Sequence, residues 1–440
     1  MAGLSNLFRY FVLLGVLNIS LVTALDNCSI HPPNTAQCKI VDRESCVCKL
    51  RMLIPITAGF KFQGSPYAKE NKLITNGFLK LLASNSISFF STDRLIIEDN
   101  RKLYGIMPGA FNGVSAPSMT ISGTNIRGLK SGALRGLYVK ELHLDDNRIS
   151  QINADTFAGI GNTTTHLSLT WNPIQLIKAN AFRHFPNLVE LQLHSNSVPL
   201  KLEPGAFSGL DRLKVLDIGY SQMQQPNGPL PFHVGPTLES LNLKENKINI
   251  TCDEDMFADA TNLTVVDLGW NQLKDLSCIQ ALGKAPNLEQ MLLKGSSFDS
   301  RIKELTAQSL NGFAKLRNLN LAEARFTTVD QDTFTTLKSV RHIALGLGDE
   351  ANLSLNVFNP VSESVGEIDL LLHGNNITLG SSGELKPTVA RVNLLTSYDF
   401  SNCDFWHLYP ACEAFLGGIV VDCLWGDICM MEPPITSTES

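Results

Sequence analysis

Leu142-His143-Leu144-Asp145-Asp146-Asn147-Arg148-Ile149-Ser150-Gln151-Ile152, with Phe157 five residues further on, is the stretch that decides the fold. The same frame returns as Leu167, Leu169, Asn172, Ile174, Ile177 and Phe182. It returns again as Leu241, Leu243, Asn246, Ile248 and Phe257, and as Val266, Leu268, Asn271 and Leu273. Alternation at Leu142 and Leu144 marks a short strand with one buried face. The later apolar positions and the Phe turn inward and close a coil around one core. The Asn at the turn can satisfy backbone groups that a tight coil would bury unpaired. A single coil cannot bury its own apolar edges, so coils stack and their strands align in a parallel sheet.

The second apolar residue of each strand serves as a marker. The markers are Ile97, Ile121, Leu144, Leu169, Leu193, Ile218, Leu243, Leu268, Leu293, Leu321, Leu345, Leu370 and Leu394. They recur every 23–25 residues, apart from one step of 28 between Leu293 and Leu321. Such register over twelve intervals implies a solenoid rather than a run of unrelated domains. The extra residues of the long step fall near Arg301 to Leu310, which have helical character. Gln222 to Pro236, rich in Pro and Gly, reads as an irregular convex loop. The Asn position holds Thr124, Ser221, Ser296, Ala324, Gly348, His373 or Ser397 in seven coils, which are expected to be less regular.

These residues resemble the extracellular leucine-rich-repeat family, with its LxxLxLxxNxL frame and period of roughly 24 residues. The resemblance implies an α/β solenoid: a horseshoe of about 13 coils of 24–25 residues, with a concave parallel sheet and disulfide caps. Cys46-Val47-Cys48 resembles the N-terminal cap of such solenoids, and Cys403 to Cys429 sits where the C-terminal cap belongs, without its usual Cys-x-Cys start. Leu95 to Asn100, Ala110-Phe111 and Ile121 to Asn125 also resemble a group of arthropod secreted repeat proteins. That group includes the non-catalytic subunit of the shrimp Oplophorus luciferase.

The organisation that follows is a signal peptide over 1–24, a cap and leading segment over 25–92, the solenoid over 93–400, a second cap over 401–432 and a polar tail over 433–440. Arg9 precedes an apolar run from Tyr10 to Leu17, and Val22-Thr23-Ala24 offers a cleavage site. That run is too short for a membrane anchor and is broken by Asn18 and Ser20. All ten cysteines follow it, and no CxxC pair or zinc-type Cys/His quartet is present, so disulfides in an exported chain are expected. Cys28, Cys38, Cys46 and Cys48 cluster early and Cys403, Cys412, Cys423 and Cys429 late, with their pairing left open. Cys252 and Cys278 fall nine and ten residues after the markers of adjacent coils. Strands about 4.8 Å apart bring such positions within disulfide reach, so these two are expected to pair. Asn162, Asn249, Asn262, Asn352 and Asn376 head glycosylation triplets; Asn27 does too, beside Cys28.

The outward residues of each strand form the expected binding face. Glu141, His143, Asp145, His166, Glu190, Gln192, His194, Asp217, Asn242, Lys244 and Asp267 are its central members. Glu98, Glu367, Asp369 and His342 extend it, as do the cations Arg94, Lys294 and Arg391. The face is mildly acidic and carries none of the glycosylation asparagines. His143, His166 and His194 occupy different strand positions, so they spread diagonally instead of converging on a metal. A formal net charge of −6 without clustered Lys and Arg argues against nucleic-acid binding. GxSxG, HExxH and phosphate-cradling glycine loops are absent, which argues against catalysis and against a cofactor. The expected role is binding an extracellular protein or glycoconjugate. The rivals are a non-catalytic subunit of a secreted enzyme, an innate-immune pattern binder and a matrix protein.

Overall fold

The computed structural model describes residues 28–31, 36–41, 44–50, 61–63, 68–74, 79–88, 91–223, 230–250, 252–273, 275–295, 297–298, 303–372, 378–379, 391–396 and 421–423. The signal peptide, Asn27, Asn376, Cys403, Cys412, Cys429 and the polar tail lie outside the described residues. The chain divides into two compact units, Met1–Gln224 and Gln225–Ser440. Each is a run of stacked coils with a parallel sheet along one side.

In the first unit the sheet strands are Glu70–Ile74, Arg94–Glu98, Ser118–Ile121, Glu141–His143, His166–Ser168, Glu190–Gln192 and Val215–Asp217. All pair in parallel and in step, so that Leu95, Met119, Leu142, Leu167, Leu191 and Leu216 form one inward row. Each of these side chains is buried. The row continues behind the strands as a spine of rings, with Phe157 and Phe182 centred 6.2 Å apart and Phe182 and Phe207 5.9 Å apart. A second small parallel ladder, Gln151–Ile152, Leu176–Ile177 and Lys201–Leu202, forms on the return path.

The coil at Glu70–Ile74 precedes the first sequence marker. Asn71 stands there at the inward position where other coils carry Leu, Ile, Val or Met, so the apolar alternation is broken. Its side chain is fully buried, and Nδ2 donates to Thr92 Oγ1 at 2.9 Å. The cap joins the sheet directly. Ala36–Val41 and Ser45–Leu50 form an antiparallel hairpin, and the second strand pairs in parallel with Glu70–Ile74. Cys38 is bridged to Cys48 across the hairpin, and Cys28 to Cys46. One edge of the sheet is thereby covered by a cross-linked hairpin instead of being left open.

The turn after each strand is built on a buried side chain. Asn172 Nδ2 donates to the carbonyls of Leu144, Leu169 and Thr170 at 2.9–3.1 Å, and its Oδ1 accepts from Ile149 N at 3.1 Å. It thus ties its own coil to the preceding one. Asn147 and Asn271 repeat the arrangement. Thr124 and Ser221, which replace Asn, keep it in part: Thr124 Oγ1 accepts from Ile126 N and Ser221 Oγ donates to Leu193 O.

The second unit stacks Ser240–Asn242, Val265–Asp267, Gln290–Leu292, Asn318–Phe326, His342–Leu347, Glu367–Leu372, Arg391–Thr396 and Val421–Cys423, again in parallel. Its strands lengthen where Ala324 and Gly348 replace Asn, from three residues to nine at Asn318–Phe326 and six at His342–Leu347. Without an amide to close the turn, the backbone satisfies itself by continuing the ladder. These coils are paired over a longer stretch, and the expected irregularity takes the form of a bulge. Residues 322–325 bulge out of register there, and a Cβ on Gly346 would lie 2.0 Å from Ala324 O.

The return paths are mostly turns. Among the described residues the α-helix is Ser277–Leu282, and short 3₁₀ segments lie at Ala307–Leu310 and Leu355–Val361. The Ala307–Leu310 segment falls within the long step. Cys252 and Cys278 are bridged with Cα atoms 4.7 Å apart. Neither sits in a strand: Cys252 follows Asn249–Ile250 and Cys278 lies in the first turn of the helix.

Replacing Asn172 by Ala leaves several buried carbonyls and the Ile149 amide without their partner. The expected cost is about 2–4 kcal/mol, read as a lowered urea midpoint. A midpoint within error of the parent would contradict the turn's role.

Candidate functional site: the outward sheet face

In the first unit the outward residues fall into three columns set by strand register. Glu141, His166 and Glu190 share the first; His143, Ser168, Gln192 and Asp217 the second. Asp145, Thr170 and His194 follow in the third. The columns are tied together. Asp145 Oδ1 accepts from Ser168 Oγ at 2.5 Å, Thr170 N at 2.8 Å and Thr170 Oγ1 at 2.9 Å, all on the next coil. Gln192 Nε2 donates to Glu190 Oε1 at 2.5 Å. His143 and His166 lie 3.8 and 3.7 Å from Asp145 and Glu190. His166 and His194 share short bonds with the neighbouring hydroxyls of Thr165 and Ser195, at 2.9 and 3.0 Å. The result is a polar surface whose carboxylates and imidazoles are partly exposed over the buried Ser168 and Thr170.

Several face residues also hold the backbone. Asp217, Asn242 and Asp267 each accept, through Oδ1 at 2.9 Å, from the amide two residues on. Charges on the first coils are paired: Lys72 with Glu98 at 2.5 Å and Arg94 with Glu70 at 3.9 Å. The three histidines do not gather. Among the described residues the group that brings three ligand atoms together is Cys28, Cys46 and Cys48, all in disulfides.

Beside the third column, in nine coils the residue before the turn Asn or its substitute is left-handed. The positions are Asp99, Gly123, Asp146, Trp171, Ser195 and Tyr220 in the first unit, and Glu245, Trp270 and Gly295 in the second. For a non-glycine residue that conformation costs roughly 1–2 kcal/mol, least for Asp or Asn. Trp171, Tyr220 and Trp270 are nonetheless exposed, to 65%, 42% and 46%. Sequence reasoning keyed on inward apolar residues passed over them. The signal was available as the residue preceding each turn Asn.

The second unit carries a tighter cluster. His342 Nε2 lies 2.8 Å from Asp369 Oδ2, and Asn393 Nδ2 donates to Asp369 Oδ1 at 2.7 Å and Glu367 Oε1 at 2.9 Å. The hydrogen bond to Asp369 raises the His342 pKa against the opposing effect of burial, helped by the charges of Asp369 and Glu367. Burial pushes Asp369 up, but hydrogen bonds from His342 and Asn393 and the charges of His342 and Lys294 hold it below the ordinary carboxylate value.

The His342 contribution to stability is complete below its unfolded value of 6.5 and is lost as pH rises through the higher folded value. The Asp369 contribution is present above 3.8 and is lost as pH falls through the lower folded value. His342→Gln should therefore flatten the decline in urea midpoint between pH 6 and pH 8. Parallel profiles for variant and parent would contradict the assignment.

Residues 138–198 match the leucine-rich-repeat family model. The chain is 33% identical over 168 residues to Tsukushi of Mus musculus, a match covering 37% of this chain and 46% of that protein. It is 37% identical over 73 residues to Toll-like receptor 13 of Mus musculus, covering 17% of this chain and 7% of that protein. The aligned stretch thus spans less than half of either relative. Among solved structures it is similar to the APL1 leucine-rich repeat domain, with a TM-score of 0.56 at 16% identity, over 80% of this chain and 87% of that one. The fold is that of a leucine-rich-repeat solenoid, and over part of its length the chain is similar in sequence to proteins built from such repeats.

Proposed function

We propose that the chain is a secreted, non-catalytic recognition protein that holds an extracellular protein on the outward face of its sheet. The observation that carries this reading is the interlinked surface from Glu141 to Asp217. Its carboxylates, imidazoles and amide are partly exposed and linked to one another, between coils at Asp145–Ser168 and His166–Glu190 and within a coil at Glu190–Gln192 and His143–Asp145. Preorganised polar groups around a binding surface lower the ordering cost of association. Glu141, His143, Asp145, His166, Glu190, Gln192, His194 and Asp217 would contact a partner in the first unit, and Asn242, Lys244 and Asp267 in the second.

Export through residues 1–24 and glycans at Asn162, Asn249, Asn262, Asn352 and Asn376 belong to the same reading. Asn162, Asn262 and Asn352 are exposed and lie off the sheet face, so sugars there would leave it open. Among the described residues no helix is long and apolar enough to cross a membrane. Toll-like receptors are receptors by name, and the likeness to them favours binding over chemistry. The arthropod resemblance of Leu95 to Asn100 favours one narrower role, a stabilising subunit of a secreted enzyme.

Cross-linking and affinity capture of the tagged chain from its native secreted fluid, read by mass spectrometry, tests the reading. Cross-links from Lys244 or Lys294 to a captured protein are expected. One partner at fixed ratio would select the subunit role, and a broad set of weak partners the pattern binder. Cross-links confined to lysines away from the face would overturn the reading.

A further inference from the structure

The exposed tryptophans recur with a companion. Trp171 stands beside Asp146, its register partner on the preceding coil, since His143 pairs with Ser168. Trp270 stands beside Glu245 in the same way, since Asn242 pairs with Asp267. All four residues are left-handed, with φ between 49° and 57°. The coil demands that backbone conformation, and Gly123 and Gly295 meet it without strain at equivalent places. Neither the backbone nor the core therefore accounts for an indole. Trp171 is 65% exposed and Trp270 46%. The Trp270 ring lies over Gly295, where an added Cβ would come 2.3 Å from its Cδ2.

An indole with a carboxylate on the adjoining coil matches one side-chain chemistry, a cation resting on the ring face while its charge is paired. The surroundings agree in sign. From Ser118 to Tyr220 the three outward columns and this ridge carry Glu141, Asp145, Asp146, Glu190 and Asp217 and no Lys or Arg. A cationic side chain arriving at Trp171 meets no competing cation on that face; in the second unit Lys244 and Lys294 stand beside Glu245 and Gly295.

We propose that each unit carries an arginine- or lysine-binding ridge site, Asp146 with Trp171 in the first and Glu245 with Trp270 in the second, which takes basic side chains of a partner protein. The inference rests on the proposed recognition function and names the partner's chemistry. Tryptophan supplies the ring face, which is neutral, so its removal leaves the net field of the surface unchanged.

The test is fluorescence anisotropy with the full chain and a labelled peptide of alternating glycine and arginine. A matched peptide carries citrulline, the neutral analogue of arginine. The arginine peptide should bind the parent and the citrulline peptide should not. The double variant Trp171→Ala/Trp270→Ala should bind about tenfold more weakly, while Trp171→Phe/Trp270→Phe keeps most of the affinity. Tyr138→Ala, an exposed aromatic off the ridge, should bind as the parent does. Equal binding of the two peptides, or undiminished binding by the alanine variant while Tyr138→Ala also binds, would overturn the ridge sites. A partner cross-linked to the sheet face but indifferent to the tryptophan variants would sink this inference and leave the recognition function standing. Loss of face cross-links with intact arginine binding would do the reverse.

Discussion

One buried side chain at the end of each short strand governs the repeat. A strand of three residues must stop, turn and send the chain back without stranding peptide groups in an apolar core. Asn147, Asn172 and Asn271 do this by binding carbonyls of their own coil and of the coil before. A single amide thus sets the turn and the stacking together. The left-handed residue before it, the inward Leu rows and the ring spine of Phe157, Phe182 and Phe207 all follow from that fixed turn.

The same constraint shapes the surface. Turning at a fixed point holds the three outward columns in register, so Asp145 can reach Ser168 and Thr170 on the next coil. Where the Asn turn or its Thr or Ser substitute is kept, it also holds one residue in a left-handed conformation beside the sheet. Where the Asn is lost, at Ala324 and Gly348, the strands lengthen. His342, Asp369 and Asn393 meet across three strands of six residues each.

Inward periodicity was legible in the sequence because burial requires it at every coil. The coil at Glu70–Ile74 was not, since Asn71 replaces the expected apolar residue and is satisfied by Thr92. The closeness of Cys252 to Cys278 was legible from equivalent places on adjacent coils. That one lies in a helix was not, because spacing carries no information about the return path. Outward positions could be named from alternation, but their links could not. Ser168 and Thr170 read as ordinary polar residues until register sets them against Asp145. The ridge tryptophans, flanking an Asn rather than facing inward, belong to no apolar stripe.

On the proposed reading the sheet face, and not the return path, does the binding. Capture of a partner by the variant Glu141→Lys/Glu190→Lys tests it most directly, set against Asp155→Lys/Asp211→Lys, which makes the same charge change on exposed residues of the return path in the same unit. The account predicts that the face variant loses its partner and the return-path variant keeps it, with both unfolding like the parent. Retained capture by the face variant, with loss by the other, would contradict it.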